Sequence, residues 1–356
     1  MRILYGVCGE GMGHAIRSCV VGHHLRGLGH DVTYVCSPGR AFDHLSRSKT
    51  GRVVPTLGLH STMTRNRVDA PATFLGNAAL QMIAGPVVHT VTAAMVGVSA
   101  KPDFVISDFE PWSARYASVT RKPLVAIDNI HFATRFSHER GLGICPGDAQ
   151  ARALMEPVVS RMIPGAKRYL VTGFVGTGAR PRDEKTSLHL PILRPETLSV
   201  PRSVGDHVVV YFNDKADAER LRVLAGLGVP FHVYGTGARV ESVQGSVTVK
   251  PMGPGFLGDL ASSRAVIAGA GFTTMTEAIY LGKPMLAVPF EGQYEQILNA
   301  SYLSEMGYGE RAREITREGV GAFLERANTY RTNLSGLVHD GNRALLAELE
   351  EMLDAA

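Results

Sequence analysis

Short apolar, often β-branched runs recur along the chain and alternate with longer amphipathic stretches. RILYGV (2–7), HDVTYVCS (30–37), PDFVISD (102–108), KPLVAIDN (122–129) and KRYLVTG (167–173) each have the length and composition of a buried strand. HAIRSCVVGHHLRGLG (14–29) has helical spacing, and Gly29 is placed to end it. The regular pattern breaks over 174–206, which is rich in Pro, Arg, Gly and Ser. It then restarts with HVVVYF (207–212), FHVYG (231–235), VTVKPM (247–252), AVIAGAG (265–271) and PMLAVPF (284–290). A last amphipathic stretch, 335–356, reads as one helix. Unbroken apolar strands separated by helices predict parallel sheets covered on both faces. The expected α/β organisation is two Rossmann-like domains, 1–190 and 206–335, joined by a linker at 191–205. The terminal helix, 336–356, is free to pack back on the first domain.

Composition changes this picture little. The 356 residues exceed one ordinary core and suit two domains. A net charge of +4 without a dense Lys/Arg run argues against nucleic acid as a partner and leaves room for an anionic substrate or membrane face. Four cysteines without paired spacing read as reduced thiols of a cytoplasmic protein. Met1 runs directly into a strand, with no signal-peptide pattern. The stretch from Thr73 to Ala100 is apolar but broken at Gly85-Pro86, so it reads as two helices rather than a membrane span. One of them could offer an apolar face to a hydrophobic acceptor or to the inner face of a membrane.

Two glycine-rich turns follow strands. The first is GEGMGHAIR (9–17). A dinucleotide fingerprint would need an acidic residue closing the second strand, where Ser37 stands, and its glycines would be spaced differently. A hydride-transfer reading is therefore set aside. The second is GAGFTTMTE (269–277). Its small residues allow backbone N–H groups to approach a diphosphate, Thr273 and Thr274 can cap the next helix, and Glu277 in the first turn suits the helix dipole or two ribose hydroxyls. PFEGQYEQ (289–296) places Glu291, Gln293, Glu295 and Gln296 in one loop, a set suited to sugar hydroxyls.

The ordered set Gly271, Thr273, Thr274, Glu277, Gly282-Lys283-Pro284, Pro289, Glu295-Gln296 and Asn299-Ala300 resembles the donor site of GT-B glycosyltransferases, including the natural-product UDP/TDP-sugar enzymes and the bacterial lipid II N-acetylglucosaminyltransferase. The resemblance implies a GT-B fold, two Rossmann-like domains facing each other across a cleft. It implies that Gly271, Phe272, Thr273 and Thr274 hold the diphosphate, Glu277 the ribose, and Gln293, Glu295 and Gln296 the donor sugar. The loop around Met252 would clamp the base. Many members carry His or Arg where this chain has Gly269, and Asn213, Arg17, Arg239 and Lys250 are the candidates to compensate.

By the same resemblance the first domain holds the acceptor. His14 would be the general base of an inverting transfer and Asp108, at a strand end, its carboxylate partner. The opening GxGHxxR, with Arg17, and the stretch Ile127 to Phe132 are similar to a bacterial and archaeal glycosyltransferase group, which makes Gly11, Gly13, Arg17, Asp128 and His131 acceptor-site candidates. The implied substrates are a nucleotide diphospho-sugar, UDP- or TDP-linked, and a hydroxylated acceptor: natural product, lipid-linked sugar or glycan. No cofactor and no metal is expected, since no DxD-type pair closes a strand. A UDP-sugar 2-epimerase of the same fold, or a non-catalytic nucleotide-sugar-binding protein, would share most of these features.

Overall fold

A computed structural model describes residues 1–60, 62–64, 67–138, 142, 146–212 and 218–356. The chain divides into two compact units. The first comprises Met1–Glu139, Ala149–Arg194 and Asp340–Ala356; the second comprises Arg140–Asp148 and Pro195–His339.

The first unit begins β1 (Arg2–Val7), α1 (Met12–Gly27), β2 (Asp31–Cys36), α2 (Arg40–Ser48) and β3 (Arg52–Pro55). A small pair, β4 (Met63–Thr64) and β5 (Arg67–Val68), precedes α3 (Ala70–Ile83) and α4 (Gly85–Ser99). Then follow β6 (Phe104–Asp108), α5 (Pro111–Thr120), β7 (Leu124–Asp128), α6 (Phe132–Arg135), β8 (Phe136–Ser137), α7 (Pro146–Met162), β9 (Arg168–Thr172), β10 (Arg180–Pro181) and β11 (Thr186–His189). Seven strands form one parallel sheet in the order β11-β9-β7-β6-β1-β2-β3. Its central strands are buried along nearly their whole length, which is why they read as unbroken apolar runs. Helix α1 lies close on the sheet because Gly22 has no side chain; a Cβ there would collide with the Tyr34 hydroxyl.

The second unit contains α8 (Pro195–Ser199), β12 (Val208–Tyr211), α9 (Ala218–Ala225), β13 (Phe231–Tyr234), β14 (Ser242–Gln244), β15 (Val247–Val249), α10 (Gly255–Ser262) and β16 (Ala265–Ala268). It continues with α11 (Phe272–Tyr280), β17 (Met285–Ala287), α12 (Tyr294–Glu305), β18 (Gly309–Arg311) and α13 (Arg317–Leu334). Its sheet runs β14-β15-β13-β12-β16-β17-β18, parallel except for β14. Both sheets are Rossmann-like.

The last helix is shorter than the amphipathic pattern suggests. It is α14 (Arg343–Asp354), entered through Asn342 in the left-handed region, while Leu337 and Val338 lie exposed before it. Leu345, Leu349 and Leu353 join the core of the first unit beside Ile3, Tyr5 and Leu25. Asn342 fastens the entry, accepting from the Leu193 N–H at 2.9 Å and donating to the Leu193 carbonyl at 2.8 Å.

Helices α3 and α4 meet at a 61° bend, and among the described residues no single helix is long and apolar enough to cross a membrane. Their outer face carries Leu75, Met82, Ile83, Val87, Val91 and Val98, all more than half exposed.

Candidate active site

In each sheet the chain order reverses between two neighbouring strands, and loops leaving such strands spread apart to make a crevice. In the first unit these are β1 and β6, paired at their ends through Val7 and Asp108. In the second they are β12 and β16, paired through Tyr211 and Ala268. Both glycine-rich turns leave these strands.

The turn after β1 is tight for a reason visible in its neighbours. A Cβ at Gly9 would strike Ser37, and Gly11 stands at φ +78° as the N-cap of α1. Met12, Gly13 and His14 therefore form the first helical turn. His14 Nδ1 lies 2.7 Å from Asp108 Oδ1; the imidazole keeps slight exposure while the carboxylate is fully buried. Arg17, one turn on, is buried too. Its Nε donates to Asp108 Oδ2 at 2.6 Å, its Nη2 to Oδ1 at 2.5 Å, and its Nη1 to Asn129 Oδ1 at 2.5 Å. Ser18 Oγ adds a longer bond to Oδ2, 3.3 Å. Burial works against the Arg17 charge, but Asp108 outweighs it and holds the guanidinium pKa above its ordinary value.

This corrects the expectation for Arg17. Its guanidinium points inward to Asp108 and Asn129 within the first unit, not outward to an acceptor. Asp128 and His131 are likewise inside. Asp128 Oδ1 accepts from the His131 N–H at 2.8 Å, its Oδ2 lies 2.6 Å from Nδ1 of the same residue, and both residues are almost fully buried. Burial alone would raise the Asp128 pKa, but His131 and Arg17 together bring it below the usual carboxylate value. The His131 ring packs against Phe109 and Tyr169. Both side chains are enclosed within the first unit.

In the second unit the glycine-rich turn after β16 also differs from the expectation. The helix N-cap is Gly271, with no side-chain cap, so Thr273 and Thr274 are first-turn residues rather than caps. The first N–H groups of a helix have no intrahelical partner, and α11 begins shortly after β16, one of the two strands at the switch point. Nothing lies within 4 Å of a Cβ built on Gly271. Phe272 is buried, and Thr273 and Thr274 are half-buried. Asn299 steadies the turn by donating to the Ala270 carbonyl at 3.1 Å.

Glu277 sits in the second turn of α11, not the first, and is buried. Thr197 of α8 donates to its Oε1 at 2.8 Å, a positioning contact that sequence reading missed. Glu295 and Gln296 belong to α12 rather than to a loop, and Gln293 is its N-cap residue. The Gln296 side-chain oxygen accepts from the Phe290 N–H at 3.1 Å and so steadies the loop. Met252 is exposed. Of the residues considered for the missing charge at Gly269, Arg239 is exposed, Asn213 lies outside the described residues, and Lys250 is spent on Asp259 at 2.8 Å. The frame residue Lys283 is explained structurally: its ammonium donates to the Ser203 and Ser263 carbonyls, and burial lowers its pKa to about 8.

The sequence model described as Glycosyl transferase family 1 matches residues 1–328. An uncharacterized glycosyltransferase of Methanosarcina acetivorans is 23% identical over 341 residues, covering 87% of this chain and 85% of the relative. The Bacillus thuringiensis UDP-N-acetylglucosamine–N-acetylmuramyl-(pentapeptide) pyrophosphoryl-undecaprenol N-acetylglucosamine transferase 1 is 28% identical over 143 residues, covering 39% of this chain and 40% of that one. Among solved structures, the glycotransferase of kitacinnamycin superposes with a TM-score of 0.69 at 16% identity, over 99% of this chain and 98% of the other. That likeness is one of fold.

Proposed function

From a chain that belongs to glycosyl transferase family 1 and is a glycosyltransferase of the GT-B type, we propose an inverting transfer from a nucleotide diphospho-sugar, UDP- or TDP-linked, to an acceptor hydroxyl. In this reading His14 Nε2 takes the proton of the acceptor hydroxyl as its oxygen bonds the anomeric carbon. The bond to the diphosphate breaks in the same step, and its electron pair leaves with the diphosphate. A hydroxyl is a poor nucleophile near neutral pH, and a positioned imidazole suits the task. Asp108 orients the ring and meets the charge that develops on it.

The second unit would hold the donor. The N-terminus of α11, at Gly271 to Thr274, would meet the diphosphate through backbone N–H groups and dipole, without a metal. Glu277, set by Thr197, would accept from the ribose, and the start of α12, Gln293 and Glu295, would meet the sugar. The exposed apolar residues of α3 and α4 favour an acceptor with an apolar portion, a lipid-linked sugar or hydrophobic natural product, over a plain glycan end.

The observation that carries this reading is the 2.7 Å contact of His14 with a buried Asp108 where β1 and β6 part. His14→Ala is expected to abolish transfer and leave UDP affinity by calorimetry unchanged; wild-type turnover in that variant removes His14 from the chemistry. Glu277→Ala should do the opposite and weaken UDP binding about tenfold or more. Incubation with UDP-GlcNAc and no acceptor separates the epimerase alternative, because formation of the manno epimer would overturn the transfer reading.

A further inference from the structure

Arg17 has no place in a His–Asp pair, yet it is the most heavily engaged side chain around Asp108. We propose that Arg17 is a positioning residue for His14, sharing the Asp108 carboxylate with the imidazole and thereby selecting the tautomer that leaves Nε2 bare. The inference rests on His14 being the base.

The argument is one of donors and acceptors. Three atoms form a close triangle: Arg17 Nη2, His14 Nδ1 and Asp108 Oδ1, with separations of 2.5, 2.7 and 2.7 Å. A guanidinium has only donors. Were Nδ1 to accept from Arg17, it could not also donate to Asp108, and Nε2 would carry the proton and be useless as a base. The carboxylate resolves the contest. Arg17 engages it through Nε and Nη2 at once, a two-point fork that fixes its plane. Oδ1 has lone pairs for two donors, so it can accept from Nη2 and from Nδ1–H together. Asn129 holds the other end of the guanidinium, which keeps the fork on the carboxylate even though Nη2 lies 2.7 Å from Nδ1.

The charge matters as well as the fork. A buried carboxylate without a counter-charge is costly, and one free to rotate does not hold an imidazole in register. Arg17 supplies both compensation and orientation from one turn along the same helix, so the base and its positioning residue move together. This spacing is the i, i+3 relation in GxGHxxR.

The test uses the full chain with 15N-labelled histidine, read by imidazole correlation spectra at neutral pH. The His14 signals are assigned by their loss in His14→Gln, and no substrate is needed. The wild-type protein is expected to show one tautomer, protonated at Nδ1. Arg17→Gln keeps an amide donor but loses the charge and the fork. It is expected to show both tautomers, with kcat for hydrolysis of UDP-GlcNAc or UDP-glucose (water standing in for the acceptor) down ~100-fold and donor KM within about twofold. Arg17→Lys should restore the single tautomer and about tenfold of the lost rate. A purely structural role would lower the yield of folded protein without moving the tautomer. If Arg17→Gln does not fold, Asn129→Ala frees the far end of the guanidinium and is read the same way. A wild-type single tautomer in the folded variant overturns the inference. A mixed tautomer with unchanged turnover leaves Arg17 in its role and overturns His14 as the base.

Discussion

Asp108 is a fully buried carboxylate that accepts from Arg17 twice and from Ser18, and has His14 within 2.7 Å. Removing its charge would strand the Arg17 guanidinium in a site with little water. Asp108→Asn, nearly isosteric, is expected to cost about 3–5 kcal/mol of stability, the usual penalty for breaking a buried pair from one side. Urea unfolding measures this, and a loss below about 1 kcal/mol would mean that the pair is not closed off as described. At this scale sequence reading was uneven. His14 and Asp108 were matched through the family resemblance, one after a glycine turn and the other at a strand end. Arg17 was assigned to the acceptor side through the GxGHxxR resemblance, which says nothing of where the guanidinium points. Only the rotamer that buries it reveals the inward role. Gln296 has a loop contact that sequence reading did not anticipate: its side-chain oxygen accepts from the Phe290 N–H.

Among the elements, α5 carries an unusual cap. Glu110 accepts at its N-terminus from the Trp112 N–H at 2.9 Å and the Ser113 N–H at 2.7 Å, yet burial pushes its carboxyl up to about 7 against these bonds. Gly6 makes the room, since a Cβ there would run into Ser113 and Glu110. The folded pKa lies above the unfolded value of 4.5, so the stabilising protonation is fully present below about 4.5 and is lost as pH rises through about 7. The difference is on the order of 3 kcal/mol. Glu110→Gln should flatten this part of the pH dependence, and urea midpoints at pH 5 and pH 8 for both proteins check it. An equally steep loss in the variant would assign the effect to another group.

Within the two seven-stranded sheets, the strands that escaped the hydrophobic pattern, β3, β11, β14 and β18, are the edges. Edge strands are short and partly wet, so they lack the unbroken apolar run that marks a central strand. Helix α11 was found, but its cap was displaced by two or three residues. Gly271 reaches the required backbone conformation without a side-chain partner, and the threonines fall inside the first turn.

Over the whole chain, the first unit is completed by the last segment. Leu349 of α14 is fully buried in its core. Leu349→Ala is expected to destabilise that unit by about 2–5 kcal/mol. UDP affinity, measured well below the unfolding transition, should not change if the second unit alone holds the nucleotide; a parallel loss of UDP binding would show that it does not. The sequence by itself determined the class of fold, the restart of the pattern after residue 206 and the two glycine turns. These depend on local period, turn chemistry and strand ends, which neighbouring residues fix. Tertiary structure alone decided that α14 closes the first core, that Thr197 sets Glu277, that Asp128 and His131 are sealed inside, and that Arg17 turns toward Asp108. Each depends on what lies opposite a side chain across 80 or more residues of sequence, or on how much water remains around it, and neither is written in the order of residues along the chain.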